Sequence, residues 1–397
     1  MGADASVPSS RHGRAGGPRR RRRLGVGSIS GLAALLLALM LGPAFAQAGG
    51  APYLNTVPKK TLPLASTVPG NGDQNPYGIV TVPRTVGSLR DGSLLVSNFN
   101  NNGPNGGEQG TGTTIVQIPR GGTTGSPSVF AQISPNALPG GVGLTTALAV
   151  STSGYVFVGD LPTADGSSAT AKAGGILVLN SHGELVETLS GGPLNGPWDM
   201  TSSQKGDVIT LYVTNVLNGT VEHSPNVVNR GTVLRMRFRT MPGMPPKLLE
   251  QRIIAQGCPE RTDPAALVVG PTGVALGNNG TLYVADTVRN RIAAIPEAAV
   301  RRVPVNDCGM TVTDNGDLNG PLGLTLAPNG DLLAANGGNG NIVEITPAGA
   351  QVAKVTADDA SVPGGGGVLF GLTVSPFNNH LYFVDDGMNT LGVYTPN

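Results

Sequence analysis

Along most of this chain apolar residues fall in short alternating runs broken by Gly, Asn and Asp, the period of two that half-buried strands joined by tight turns require. Pro271 to Ile292 (PTGVALGNNGTLYVADTVRNRI) shows the unit most clearly. An alternating run leads to the turn Asn278-Asn279-Gly280, a second run ends on Asp286, and Asn290-Arg291-Ile292 opens a third. The pattern predicts strand, tight turn, strand, loop, strand.

Five further copies keep this frame. Pro321 to Ile342 and Leu369 to Leu391 repeat it closely, whereas Pro76 to Asn98, Thr146 to Asp160 and Pro197 to Asn215 repeat it in outline. Every second strand closes on Asn or Asp: Asn98, Asp160, Asn215, Asp286, Asn336 and Asp385. No single unit can bury its apolar face alone, so six copies at spacings of about 40 to 70 residues predict an all-β fold, a six-bladed β-propeller.

The last copy runs out early. Phe370 to Val374, His380 to Asp385 and Asn389 to Tyr394 supply three strands before the chain stops at Asn397. Thr61 to Val68 (TLPLASTV) is a spare strand outside any complete blade. Pairing the two removes an open edge, so an N-terminal strand is predicted to complete the C-terminal blade. One propeller domain is expected over residues 61–397, after a short polar linker at 47–60. In blade three, Gly231 to Phe238 and Leu248 to Ala255 are expected as the third and outer strands. In blade four, Pro296 to Arg302 reads either as the outer strand or as one helical turn.

The first residues change the charge argument. Arg19 to Arg23, the apolar stretch Gly31 to Leu41 and the small residues of Ala44-Phe45-Ala46 read as a secretory signal peptide over residues 1–46. The apolar stretch is shorter than the roughly 18 to 20 residues that span a bilayer. Its removal takes seven of 26 basic residues and one of 25 acidic ones, leaving 19 and 24, a net charge of about −5. No basic patch remains to attract nucleic acid or an anionic membrane. The mature chain is expected in the periplasm or outside the cell, as a monomer. Gly (60) and Pro (32) are abundant, but they fall between apolar runs and so act as turn residues. Cys258 and Cys308 lie about one repeat apart, and in an oxidising compartment they either pair or remain two separate thiols.

The PxGxxL…NGxLYVAD…NxI pattern resembles the NHL repeat, over most of the chain after about residue 75. Many NHL propellers act as interaction platforms, so the resemblance implies a binding role. In architecture the chain is also distantly similar to the gluconolactonase/senescence-marker family and to virginiamycin lyase-like proteins. That similarity implies an alternative, a metal-dependent hydrolase or lyase with Ca²⁺, Mg²⁺ or Zn²⁺ at the channel mouth. In the lactonase group a glutamate at the start of an early inner strand holds the metal with Asn and Asp from other blades. Here the corresponding stretch reads Asp73-Gln74-Asn75-Pro76-Tyr77-Gly78, without that glutamate.

Candidate site residues follow from propeller geometry. Connections between second and third strands are short in blades four to six and roughly fifteen residues long in blades one to three, which gathers long loops on one side of the channel mouth. The six strand-end residues Asn98, Asp160, Asn215, Asp286, Asn336 and Asp385 either cap turns or form a polar ring there. Asp199 stands where blades one, four, five and six have Gly78, Gly273, Gly323 and Gly371, and a carboxylate on an innermost strand needs a partner or a metal. Trp198, the sole tryptophan, is its expected pocket wall. Glu222 and His223 are the one His–carboxylate pair on the loop face. HExxH, CxxC, GxSxG and phosphate-loop motifs are lacking. A protein, a glycan or a small polar ligand is the expected partner, with Asp199 and Asn215 or Asp160 as an oxygen site for a divalent metal in the alternative.

Overall fold

The alternating runs become strands wherever one face has a neighbouring blade to bury against. The computed structural model describes residues 50–103, 107–358 and 369–397; the signal-peptide reading of residues 1–46 lies outside them. The strands form six antiparallel sheets, inner to outer strand in chain order. Blade one is Gln74–Thr81, Leu94–Asn100, Thr114–Ile118 and Ser128–Gln132; blade two is Leu144–Val150, Val156–Asp160, Gly175–Leu179 and Leu185–Ser190. Blade three is Pro197–Lys205, Val208–Asn215, Val228–Met241, Met244–Asp263 and a short fifth strand, Leu267–Val269. Blade four is Pro271–Leu276, Leu282–Asp286, Arg291–Ile295 and Met310–Asp314. Blade five is Pro321–Leu326, Leu332–Asn336, Asn341–Ile345 and Gln351–Thr356. Blade six takes Leu369–Val374, Leu381–Asp385 and Thr390–Thr395 from the C-terminal end and Lys59–Ser66 from the N-terminal end. The fold is a six-bladed β-propeller.

Each inner strand packs against the inner strands of both neighbours, and the last returns to the first. Glycine permits the approach: a Cβ on Gly273 would sit 2.5 Å from Leu322 O, and one on Gly78 2.7 Å from Thr146 O. The buried apolar residues divide into six clusters, one at each interface between neighbouring blades. Stability therefore resides in nearest-neighbour contacts around a closed ring.

Closure proceeds as the spare strand predicted. Lys59, Lys60 and Thr61 pair antiparallel with Thr395, Tyr394 and Val393, and after an irregularity Ala65 and Ser66 pair with Leu391 and Thr390. The residues just before it are no polar linker. Tyr53–Thr56 makes one helical turn whose Tyr53 and Leu54 are buried. Their two amides donate to the two oxygens of Glu344 in blade five, at 2.7 and 2.8 Å. Tyr53 Oη also donates to Asn379 O at 2.7 Å. The ordered propeller thus begins before residue 61.

Blades three and four differ most from expectation. Blade three's third and outer strands run well beyond Phe238 and Ala255, paired from Val228–Glu260 to Met241–Met244. In blade four, residues 296–300 are turns and Met310–Asp314 is the outer strand. The turn serves the neighbouring blade, since buried Arg235 donates to Ala298 O at 2.8 Å while pairing with Glu250 at 2.7 Å. Cys258 and Cys308 are disulfide-bonded. Cys258 lies within blade three's outer strand and Cys308 just ahead of blade four's outer strand. The bond fastens a segment that already lies along blade three through Gln256 N to Val305 O and Val305 N to Ile254 O. No helix among the described residues is long and apolar enough to cross a membrane.

Candidate functional site

The channel mouth lies where the inner strands begin, and it is filled. Tyr77 stacks between Phe99 and Phe370, with ring centroids 4.4 and 3.8 Å away, and Trp198 stacks on Phe370 at 6.1 Å. All four rings are buried. Over them folds an excursion of blade three, whose outer strand passes the blade edge and turns back so that Asp263, Thr262 and Arg261 pair with Leu267, Val268 and Val269. Leu267 is 1 % exposed at φ 62°, a left-handed conformation that a leucine rarely adopts. Trp198 Nε1 donates to Val268 O at 2.9 Å. The space enclosed between these rings and the plug is about 10 Å³.

The three long loops secure it. They span 101–113, 161–174 and 216–227, against four residues in each of blades four to six. Gln109 Nε2 donates to Pro264 O at 2.9 Å, and Ser168 Oγ donates to Leu267 O at 2.8 Å. Asn218 N donates to Glu260 Oε1 at 2.8 Å, and the Ser224 and Thr262 hydroxyls lie 2.7 Å apart. Burial pushes the Glu260 carboxyl up to about 7. Glu222 and His223 stand exposed on the third loop, where His223 Nδ1 is 2.7 Å from Gly219 O. They lie on the surface of the loop platform rather than at an open mouth.

The six strand-end Asn and Asp side chains are fully buried and serve their own blades. Asn98 Nδ2 donates to Thr67 O at 3.0 Å, and Asp160 Oδ1 accepts from Gly143 N at 2.8 Å. Asn215 Oδ1 accepts from Asn195 N and Gly196 N, and Asn336 Nδ2 donates to Asp317 O. In each of these four the partner belongs to the segment leading into the inner strand of the same blade. Asp286 instead accepts from Arg291 Nε at 2.8 Å, and Asp385 accepts from Met388 N at 3.0 Å. Burial raises Asp160 to about 7 and Asp385 to about 6. They are staples within the sheets and line no solvent-facing ring.

Asp199 and Trp198 point into different spaces. Trp198 belongs to the plug, whereas Asp199 lines an axial cavity of about 130 Å³ below it. All six blades contribute to this cavity, through Ile79, Thr146, Asp199, Val274, Thr325 and Thr373. In blades three, five and six the inner strand starts buried and ends half-buried, as in PLGLTL of blade five, so on that side the channel opens toward the hairpin turns and ends blind at the plug. Asp199 Oδ2 accepts from Val274 N at 3.0 Å, the backbone position that glycine packing would otherwise approach. Burial pushes its carboxyl up to about 8, against the lowering effect of the Val274 and Met200 amides.

This geometry does not fit the metal centre of the hydrolase alternative. Asp160 and Asn215 are committed to loop amides and Asp199 to Val274. Among the described residues no three His, Cys, Asp or Glu side chains come together as a metal cluster would. Buried Glu260 and Glu344, which hold backbone amides, escaped the sequence reading because nothing in a strand's alternation marks an inward carboxylate.

The NHL repeat family matches residues 269–295, the second-to-third-strand unit of blade four with its inner strand. The chain is a six-bladed β-propeller with one stretch that matches the NHL repeat. No curated protein matches it. Among solved structures the propeller is similar to a gluconolactonase from Xanthomonas campestris, at 14% identity, over 84% of this chain and 88% of that one, with a TM-score of 0.52. It is similar to a luciferin-regenerating enzyme at 11% identity, over 84% and 92%, with a TM-score of 0.52. A virginiamycin B lyase from Staphylococcus aureus aligns at 17% identity, over 84% of each chain, with a TM-score of 0.48. At such identities the likeness concerns the fold alone.

Proposed function

We propose that this propeller is an exported binding module that recognises a protein or glycan partner through the loop platform of blades one to three. The carrying observation is the plugged mouth. The segment at 263–269 covers the axis with buried apolar residues and is tied to the first and second loops by Gln109 and Ser168. A site that must admit substrate to a metal at the mouth has no room there. Loops cross-linked to one another instead form a pre-organised surface, which lowers the ordering cost of binding. Glu222, His223, Pro225 and Asn226 are exposed along it. The Cys258–Cys308 disulfide suits an oxidising compartment, which supports the export part of the reading.

The test has two arms. Metal analysis of the purified mature protein and a lactone and ester hydrolysis screen, with Asp199→Ala as control, should find neither stoichiometric metal nor turnover. A glycan array and a screen of exported proteins should find a partner whose binding falls at least tenfold when the loops at 101–113, 161–174 and 216–227 are shortened to four residues. Turnover that vanishes with Asp199→Ala, or binding indifferent to the loops, would overturn the proposal.

A further inference from the structure

The axial cavity departs from the repeat in a way that the loop platform does not explain. Four blades place glycine at the slot of Asp199, and the ring closes tightly through them. Blade three places a carboxylate there, buried to 8 % exposure, on the wall of the axial cavity. No lysine, arginine or histidine lines this cavity, so the carboxylate has backbone amides, of Val274 and Met200, as partners but no countercharge. An uncompensated buried charge is costly enough that such a group either stays protonated or receives its positive partner from outside. The rest of the lining supplies acceptors without charge: hydroxyls of Thr146, Thr201, Ser202, Thr325 and Thr373. Thr146 Oγ1 is buried and has no hydrogen-bond partner. A volume of about 130 Å³ holds a few heavy atoms, far less than a drug-sized ligand.

We propose that the axial channel, entered from the hairpin face, binds a small organic cation of the primary-ammonium or guanidinium class, with Asp199 as its anchor and the channel hydroxyls as acceptors. A cation of that size presents several N–H donors, matching a carboxylate oxygen plus neutral acceptors on opposite walls. A divalent metal is a poorer match, since one carboxylate with hydroxyls falls short of the oxygen set that calcium requires. The site is separate from the loop platform: it lies below the plug and opens on the opposite face. Binding needs the ionised carboxylate, and burial holds Asp199 protonated until about pH 8. Occupancy therefore releases a proton, and apparent affinity should rise about tenfold per pH unit below that value and then level off.

The probes are methylammonium, propylammonium and guanidinium chlorides, titrated into the mature protein at pH 6, 7, 8 and 9. Calorimetry gives the affinity and the sole tryptophan, Trp198 next to the anchor, gives an emission change. We expect saturable 1:1 binding at pH 9 that weakens about a hundredfold by pH 6, absent with tetramethylammonium and with ethanol. Asp199→Asn and Asp199→Gly, the latter the residue other blades use, should both lose binding while still melting cooperatively. Shortened loops in blades one to three should leave it intact, so failure here and failure of the loop platform are separable. No saturation by 20 mM at pH 9, equal binding by Asp199→Gly, or preference for Ca²⁺ over the organic cations would overturn the assignment.

Discussion

Trp198 Nε1 donates to Val268 O at 2.9 Å, and this one bond joins an inner strand of blade three to the segment that the same blade folds over the axis. Both partners are buried, so the indole reports on the plug. Leu267 beside it combines two opposing effects: its side chain fills the mouth, worth roughly 2–3 kcal/mol of burial, while its φ of 62° costs about 1 kcal/mol for any residue with a Cβ. Leu267→Ala loses the packing and keeps the strain, whereas Leu267→Gly loses the packing and relieves it. Glycine should therefore be the less harmful change, by about 1 kcal/mol in denaturant unfolding. Both variants should make Trp198 more accessible to acrylamide. An alanine variant as stable as glycine would refute the strained plug.

Ring closure was legible in the chain because Thr61 to Val68 is a strand with no blade and the last blade lacks one. The plug was not legible. Asp263-Pro264 signals a turn, and Asp263 Oδ1 accepts from Ala265 N and Ala266 N, but residue type does not say that the reversal lies over the axis or that Leu267 is left-handed. Blade four's outer strand was missed for a related reason. Met310-Thr311-Val312-Thr313 does alternate, but the run is short and exposed or half-buried along its length, whereas Pro296 to Arg302 offered apolar residues that in fact turn back toward Arg235. The strand-end Asn and Asp were found as positions, but their two readings are separable only once their partners are seen.

The N-terminal residues hold the ring through two neighbouring blades. Lys59–Ser66 completes blade six, and Glu344 of blade five accepts both amides of Tyr53 and Leu54. Removing residues 51–68 exposes an edge strand and leaves Glu344 buried with Asn329 as its remaining donor. The truncation should lower the melting temperature by more than 10 °C or abolish folding. Glu344→Ala, which orphans two amides, should cost about 2–4 kcal/mol. Unchanged melting of the truncation would refute the closure as a source of stability.

The Cys258–Cys308 disulfide closes a loop of 50 residues across the junction of blades three and four. Chain-entropy arguments give such a loop about 4 kcal/mol. The pairing of Gln256 and Ile254 with Val305 holds the segment independently, so reduction should loosen the junction without opening the ring. Cys258→Ser with Cys308→Ser should lose about 2–4 kcal/mol. Hydrogen exchange should quicken first at residues 303–309 and at the outer strand of blade three.

Asp199 gives the fold a pH dependence whose sign is opposite to acid denaturation. Its carboxyl titrates near 8 when folded, because burial disfavours the charge, and near 3.8 when unfolded. Between those values the folded state binds the extra proton, so this residue's contribution is fully present below pH 3.8 and is lost as pH rises through 8. The slope is at most about 1.4 kcal/mol per pH unit. Asp160 and Glu260, each raised to about 7 by burial, act in the same direction and end one unit earlier. Melting temperatures should therefore fall from pH 5 to pH 8, and Asp199→Asn should reduce the slope between pH 7 and 8, where Asp160 and Glu260 are completing their titration. A variant that keeps the wild-type slope over that last unit would show the carboxylate to be ionised in the folded channel. Adding propylammonium at pH 8 to the wild-type protein should restore part of the lost stability, since a ligand that binds only the folded form raises it by mass action.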